Sequence, residues 1–254
     1  MQSKKNNVAV IILAAGMGTR MKSTKAKVLH EVLGIPMILY VAETAKKVAG
    51  DNVILVIGHQ ADEVKRIVSE KAKVRYAYQD KQLGTGHAVS CALSFIPDGC
   101  EEVVILCGDV PILTADTVIK LVDDHVKTNR DVSLLAVEMD NPTGYGRVLH
   151  DNKGHVSKIV EEADANEEQK QIKMINTGIY CVKKNFLIDT VGKIKSNNAQ
   201  GEFYLTDIVE LGNLRKKPVG AIVGNKDEEF FGINSKKDLK EAEKIMKSRI
   251  GIIT

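Results

Sequence analysis

The feature that most constrains this chain is an alternation. Short apolar runs at residues 8–13, 52–58, 74–79, 103–107 and 132–138 are separated by segments of helical spacing at 37–49, 61–71, 84–94 and 114–127. In the first of these, Ile38, Val41, Ala42, Ala45 and Val48 fall on one face, and Gly50 stops the helix. Continuous apolar runs are strands buried on both faces, and strand–helix alternation implies a parallel sheet with right-handed crossovers. The predicted class is α/β, a Rossmann-like, mostly parallel sheet with helices on both faces.

Past residue 140 the pattern changes. Residues 144–161 read as two strands around the turn Asp151-Asn152-Lys153-Gly154, and 175–182 as another strand. Residues 187–194, 205–216 and 236–248 read as helices, with a strand at 219–223 and a loop at 197–201. No linker, repeat or low-complexity tract interrupts the chain. The expectation is one domain over residues 1–254: a strand–helix half to about residue 140, a lobe over the sheet's carboxyl edge at about 141–235, and a C-terminal helix at 236–254.

Composition excludes several classes. Aromatics make up 4% with no Trp, which argues against base-stacking platforms for nucleic acid. A net charge of +3 is too mild for a nucleic-acid or membrane partner. Cys91, Cys100, Cys107 and Cys181 show no metal spacing and read as reduced thiols of a cytosolic protein. Lys4 and Lys5 followed by an apolar run imitate a signal peptide, but the run leads into a loop better explained by a ligand. No stretch reaches membrane-span length. A cytoplasmic protein is expected.

Ligands of open parallel sheets bind beyond the carboxyl ends of the strands, where three loops carry chemistry. In the first, Leu13-Ala14-Ala15-Gly16-Met17-Gly18-Thr19-Arg20 precedes Lys22, Lys25 and Lys27. Glycines let backbone N–H groups approach an anion, and four cations within eight residues suit a polyphosphate. A third glycine of the dinucleotide fingerprint would fall at Met21, which argues against a nicotinamide-dependent oxidoreductase. The second loop runs from Gln79 to Gly86. There Gln79 and Gly84-Thr85-Gly86 either read a base or simply start a helix. The third is Gly108-Asp109. Asp109 either caps the helix after Pro111 or, with the basic loop at the same edge, holds a hard cation such as Mg²⁺. Glu161, Asn176 and Asn234 end apolar segments, and strand-end polar residues are common.

These loops share their motifs with a known family. Leu13 to Met21, Lys27-Val28-Leu29, Gln82-Leu83-Gly84-Thr85-Gly86-His87-Ala88, Gly108-Asp109-Val110-Pro111, Pro142-Thr143-Gly144-Tyr145-Gly146-Arg147, Ile175-Asn176-Thr177-Gly178 and Asn198-Ala199-Gln200-Gly201-Glu202 occur together and in order. The chain thereby resembles, over nearly its whole length, the uridylyltransferase domain of the bacterial bifunctional enzymes that make UDP-N-acetylglucosamine, within the sugar nucleotidyltransferase superfamily.

The resemblance implies roles. Arg20 and Lys27 would hold the UTP phosphates, with Leu13, Ala14, Ala15, Gly16, Gly18 and Gly108 around the nucleotide. Gln79 and Gly84 would contact uracil, and Thr85 would lie beside the nucleoside. Asp109 and Asn234 would bind Mg²⁺. Gly146, Glu161, Asn176, Tyr204 and Thr206 would line the N-acetylglucosamine site. The implied reaction joins N-acetylglucosamine 1-phosphate to UTP, and a monomer or weak homo-oligomer is expected. Alternatives are another sugar 1-phosphate or nucleotide, or a silent nucleotide-sugar-binding protein. Three departures accompany the resemblance. Ala26 stands where the family usually has proline, which implies a less preorganised loop. Cys107 stands where tyrosine is frequent. The chain ends at Thr254 after one helix, so the family's left-handed β-helix, its acetyltransferase activity and its trimer are expected to be absent.

Overall fold

The computed structural model describes residues 7–224 and 227–249. In the main sheet, strand β1 (Val8–Leu13) is flanked in parallel by β4 (Val53–Ile57) and β6 (Glu102–Cys107). A two-stranded hairpin, β2 (Glu31–Val32) and β3 (Ile35–Pro36), leads into helix α1 (Met37–Ala49). Helix α2 (Ala61–Ser69) connects β4 to β5 (Arg75–Tyr78), the parallel edge strand. Helix α3 (Thr85–Ala92) precedes β6, and α4 (Ala115–Lys127) precedes β7 (Val132–Glu138).

The second half supplies β8 (Gly146–His150), β9 (Val156–Val160), the short helix α5 (Glu167–Lys170), β10 (Met174–Lys183), helices α6 (Lys184–Val191) and α7 (Asp207–Leu214), strand β11 (Val219–Val223) and helix α8 (Lys236–Arg249). The main sheet runs β11-β7-β10-β6-β1-β4-β5, with β8 and β9 attached through β10. The run at 132–138 therefore does not lie beside the run at 103–107. Strand β10 enters between them, antiparallel to both. Local alternation reads strand and direction correctly but carries no information on which later strand inserts. The tail of the expected helix at 236–254 lies partly outside the described residues.

Alternate residues of β1 serve two cores. Val8, Val10 and Ile12 pack with Ile38, Val41 and Ala45 of α1, while Ala9 and Ile11 pack with Ala88, Val89 and Ala92 of α3. Burying one such aliphatic side chain contributes roughly 1.5–3 kcal/mol, so β1 is pinned from both faces. A third cluster, Val32, Met37, Ile112, Ile233 and Ala242, seats α8 on the hairpin. No helix among the described residues is long and apolar enough to cross a membrane.

Candidate active site

Parallel pairing sets the carboxyl ends of β1, β4, β5 and β6 along one edge, and the three loops come together there. Ala14 N–H donates to Val56 O at 2.9 Å, Gly108 N–H to Leu13 O at 2.9 Å, and His59 N–H to Ala15 O at 3.1 Å. The end of β1 is thus braced on both sides before the chain turns out. Gly18 has φ +65°, and a Cβ there would lie 2.5 Å from Lys27 Cβ. Both its conformation and the passing Lys27 chain require glycine. A single 3₁₀ turn, Thr19–Met21, follows; Met21 is buried beneath it and Arg20 is exposed. Burial raises the Tyr145 hydroxyl's pKa, and the Arg20 charge is among the weaker influences that oppose the rise.

Lys27 opens a second 3₁₀ turn, Lys27–Leu29, and points at β6's end. Its ammonium pairs with Asp109 and donates to Asn234 Oδ1 at 2.8 Å. Asn234 is oriented by its neighbours. Its backbone N–H donates to Asp238 at 2.9 Å, and its Nδ2 donates to Gly232 O at 3.1 Å, leaving Oδ1 for the cation. Ile233 N–H donates to Asp109 O at 3.0 Å, tying the two segments. Asp109 does not cap the following helix; Thr114 does, accepting from Thr117 N–H at 3.3 Å. One carboxylate and one amide oxygen thus converge on a single positive charge. That donor set fits a hard divalent cation completed by phosphate oxygens.

Ala26 leads into the Lys27 turn and is fully packed, 1% exposed. Its φ is −52°, and its N–H donates to Gln60 Oε1 at 2.5 Å. Gln60 Nε2 donates in turn to Thr24 O at 2.9 Å. One side-chain amide therefore clips the loop through both its donor and its acceptor, so the loop is held by a side chain from the β4–α2 connection.

The Gly84-Thr85-Gly86 turn starts a helix and also joins the halves of the molecule. Gly84 has φ +107°, and a Cβ would meet Phe203 backbone at 2.7–2.8 Å. Gly86 N–H donates to Phe203 O at 2.7 Å, Phe203 N–H to Leu83 O at 2.8 Å, and Leu205 N–H to Thr85 Oγ1 at 3.0 Å. Asn198 organises the partner segment by accepting from Gln200 and Glu202 N–H and donating to Glu202 O at 2.6 Å. Gln79 follows β5, is 3% exposed, and donates from Nε2 to Gly84 O at 3.0 Å.

The expected lobe at 141–235 is not separate from the sheet, since β10 and β11 belong to it. On β10, Asn176 pairs in register with Gly146 of β8, and a bulge between Asn176 and Tyr180 breaks the β10–β7 ladder. Gly178 within it has φ +78°. Bulges of this kind re-aim side chains beside active sites. Asn176 Oδ1 accepts from Gly178 N–H at 3.2 Å. A Cβ on Gly146 would lie 3.3 Å from a Glu161 carboxylate oxygen. Thr206 Oγ1 donates to Glu161 Oε1 at 3.1 Å; burial raises the Glu161 carboxyl's pKa and this bond opposes the rise. Tyr204 is buried, with its hydroxyl donating to Gln200 at 3.1 Å. Cys107 stands between the halves, near Asp109 and Glu161, and burial pushes its thiol up to about 12.

A cleft of about 410 Å³ lies over this edge. Of the residues expected at the nucleotide and metal, Leu13, Ala14, Ala15, Gly16, Gly18, Lys27, Gln79, Gly84, Thr85 and Asp109 line it. Arg20, Gly108 and Asn234 are not among the lining residues, and neither are Gly146, Glu161, Asn176, Tyr204 and Thr206. Met17, Gln82, Cys107 and Glu202 line the cleft without having been assigned a role from sequence. Gln82 and Glu202 sit inside the Gln82–Ala88 and Asn198–Glu202 motifs that help carry the resemblance, which is the signal that could have found them.

Residues 9–228 match the family described as nucleotidyl transferase. Among curated proteins, the chain is 47% identical over 94% of its length to the bifunctional protein GlmU of Caldanaerobacter subterraneus, covering 52% of that protein. It is 42% identical over 97% of its length to the bifunctional protein GlmU of Desulfotalea psychrophila, covering 72% of it. The chain spans about half the length of most curated relatives it matches. The motif resemblance is borne out by these relatives. Among solved structures, the fold is that of a Bacillus anthracis protein described as a glucose-1-phosphate thymidylyltransferase (TM-score 0.74, 21% identity, 94% of each chain). It is also that of HddC from Yersinia pseudotuberculosis (TM-score 0.67, 23% identity, 94% of this chain and 99% of the other).

Proposed function

The chain belongs to the nucleotidyl transferase family, and we propose that it transfers UMP from UTP to N-acetylglucosamine 1-phosphate, giving UDP-N-acetylglucosamine and pyrophosphate. The observation that carries this reading is the meeting of Lys27, Asp109 and Asn234 beside the glycine loop, at a cleft that Lys27 and Asp109 line together with Glu202 of the second half.

The acceptor's phosphate oxygen is already a nucleophile, so no Ser or Cys nucleophile is needed. That oxygen forms a bond to the α-phosphorus of UTP while the bond to the β-phosphate oxygen breaks, and both electrons leave with pyrophosphate. Catalysis is then positioning and charge stabilisation. Lys27 and Arg20 bind the phosphates as charge moves onto the leaving group, and the backbone of Gly16 to Gly18 lies against them. Asp109 and Asn234 would hold Mg²⁺, which supplies additional charge neutralisation when bound. Gln79 and Gly84 face the base and Thr85 the nucleoside. Gly146, Glu161, Asn176, Tyr204 and Thr206 form the sugar side, where buried acceptors suit ring hydroxyls. Gly108 keeps the β6 end close to β1, since a Cβ there would lie 3.0 Å from Leu13 O.

Chromatography of a reaction containing UTP, N-acetylglucosamine 1-phosphate and Mg²⁺ tests this reading. A UDP-sugar and pyrophosphate in equal amounts are expected. Nucleotide binding with no product would favour a silent binding protein.

A further inference from the structure

We propose that Asp238 is a positioning residue for the divalent cation: its carboxylate fixes the backbone that carries Asn234, the amide half of the cation's donor pair. The inference rests on the reading that Asp109 and Asn234 hold that cation.

The sense of these bonds follows from their atoms, since a carboxylate oxygen only accepts and a backbone N–H only donates. Asp238 Oδ2 accepts from Ser235 N–H at 2.8 Å and from Asn234 N–H at 2.9 Å. Ser235 Oγ accepts in return from Asp238 N–H at 3.2 Å. Ser235 and Asp238 thus cap each other at the start of α8, which satisfies donors that the first turn leaves without partners. Such a cap needs only the bond to Ser235. The bond to Asn234 reaches one residue further back, onto the chain that enters the site.

The Asn234 side chain has one sense as well. The Lys27 ammonium only donates and Gly232 O only accepts, so Oδ1 faces Lys27 and Nδ2 faces Gly232. Upstream, Ile233 is buried and its N–H donates to Asp109 O at 3.0 Å. Asn234 is therefore held on one side by the segment that carries the other cation ligand, and on the other by Asp238. When Lys27 turns to the phosphates, Oδ1 gives up that donor, and these backbone bonds keep it in place for the cation. The body of α8 is anchored independently of Asp238. Ala242 packs with Val32, Met37 and Ile112, and Arg249 donates to Ile112 O at 2.8 Å. Losing the carboxylate frees the turn at Asn234 without undocking the helix.

The test measures UTP affinity by calorimetry with and without Mg²⁺, with no sugar phosphate present and hence no turnover. The ratio of the two affinities is the gain that the cation confers. Asp238→Ala is expected to lower that gain about 10-fold, as when a partner that orients a metal ligand is removed. Asp238→Asn should keep the gain, because both bonds fall on one oxygen that an amide oxygen can replace. Ser235→Ala removes the other half of the cap but no acceptor of Asn234, so it should lower the melting temperature and keep the gain. A full gain in Asp238→Ala, or an equal loss in Ser235→Ala or in Asp238→Asn, would overturn the positioning role and leave the cation site standing. A gain no larger in the wild-type chain than in Asp109→Ala would overturn the cation reading, and the inference with it.

Discussion

Lys27 Nζ donates to Asn234 Oδ1 at 2.8 Å, joining positions 207 residues apart, and the same ammonium pairs with Asp109. The glycine loop, the end of β6 and the start of α8 are brought to one point by that cation. Replacing Asp109 with alanine should therefore remove most turnover, roughly 10²-fold or more, in line with deleting one preorganised electrostatic group. Unfolding should stay cooperative, because the carboxylate is partly solvent-facing and contributes little to packing. Initial rates and a thermal melt of Asp109→Ala check both halves; a near-normal rate would remove Asp109 from the metal site.

The Gln60 amide holds Thr24 O and Ala26 N–H, and so fixes the approach to Lys27. Gln60→Ala should lower the turnover number a few-fold, on the scale of one or two lost neutral hydrogen bonds, with little change in the KM for the sugar phosphate. Because Ala26 has a φ that proline can adopt, Ala26→Pro in the Gln60→Ala background should restore part of the rate. A double variant slower than Gln60→Ala alone would argue that the loop needs the N–H itself.

Two glycines of the first loop should behave differently. Gly18→Ala meets both a left-handed backbone and the Lys27 chain and should cost about 1–2 kcal/mol in folding stability. Gly16 has no atom within 4 Å of a built Cβ and no left-handed φ, so Gly16→Ala should leave denaturant unfolding within about 0.5 kcal/mol of wild type. Equal losses at the two positions would contradict the geometry.

Asp207 begins α7, and burial, reinforced by Glu210 and Asp164, pushes its carboxyl up to about 6. A carboxyl raised in the folded state keeps its proton there while the unfolded chain has lost it. Its contribution therefore favours folding below the unfolded value near 4 and declines as pH rises towards 6. Asp207→Asn should gain thermal stability relative to wild type across that window and hold the gain above it. Melting both proteins between pH 4 and 7 measures this, and a difference that does not change with pH would contradict it.

Much of the site was legible because its motifs carry local physics. Gly18 and Gly84 are demanded by positive φ, and Asp109 is delivered by a strand whose apolar run ends just before it. The sheet's order was less legible. Nothing in the 175–182 run says that it inserts antiparallel between β6 and β7, because that choice is made by packing with distant elements. The two-residue strands at 31–32 and 35–36 are too short to leave a periodic signal. The pairing of Ala26 with Gln60 and of Gln79 with His87 depends on side-chain contacts that spacing alone does not encode. Spacing alone leaves Asp109 open between a helix cap and a cation ligand; the cap is Thr114, and Asp109 instead pairs with Lys27, which leaves the cation reading as the proposal.

The most direct test of the central claim is the rate of pyrophosphate release with Mg²⁺ across a small matrix of substrates. UTP, CTP, dTTP and ATP would each be paired with N-acetylglucosamine 1-phosphate and with glucose 1-phosphate. Fast release with UTP and the acetylated sugar, well above every other pair, is the predicted result. Faster release with another pair would keep the chemistry and overturn the substrates, and no release with any pair would contradict the claim that this cleft transfers a nucleotide.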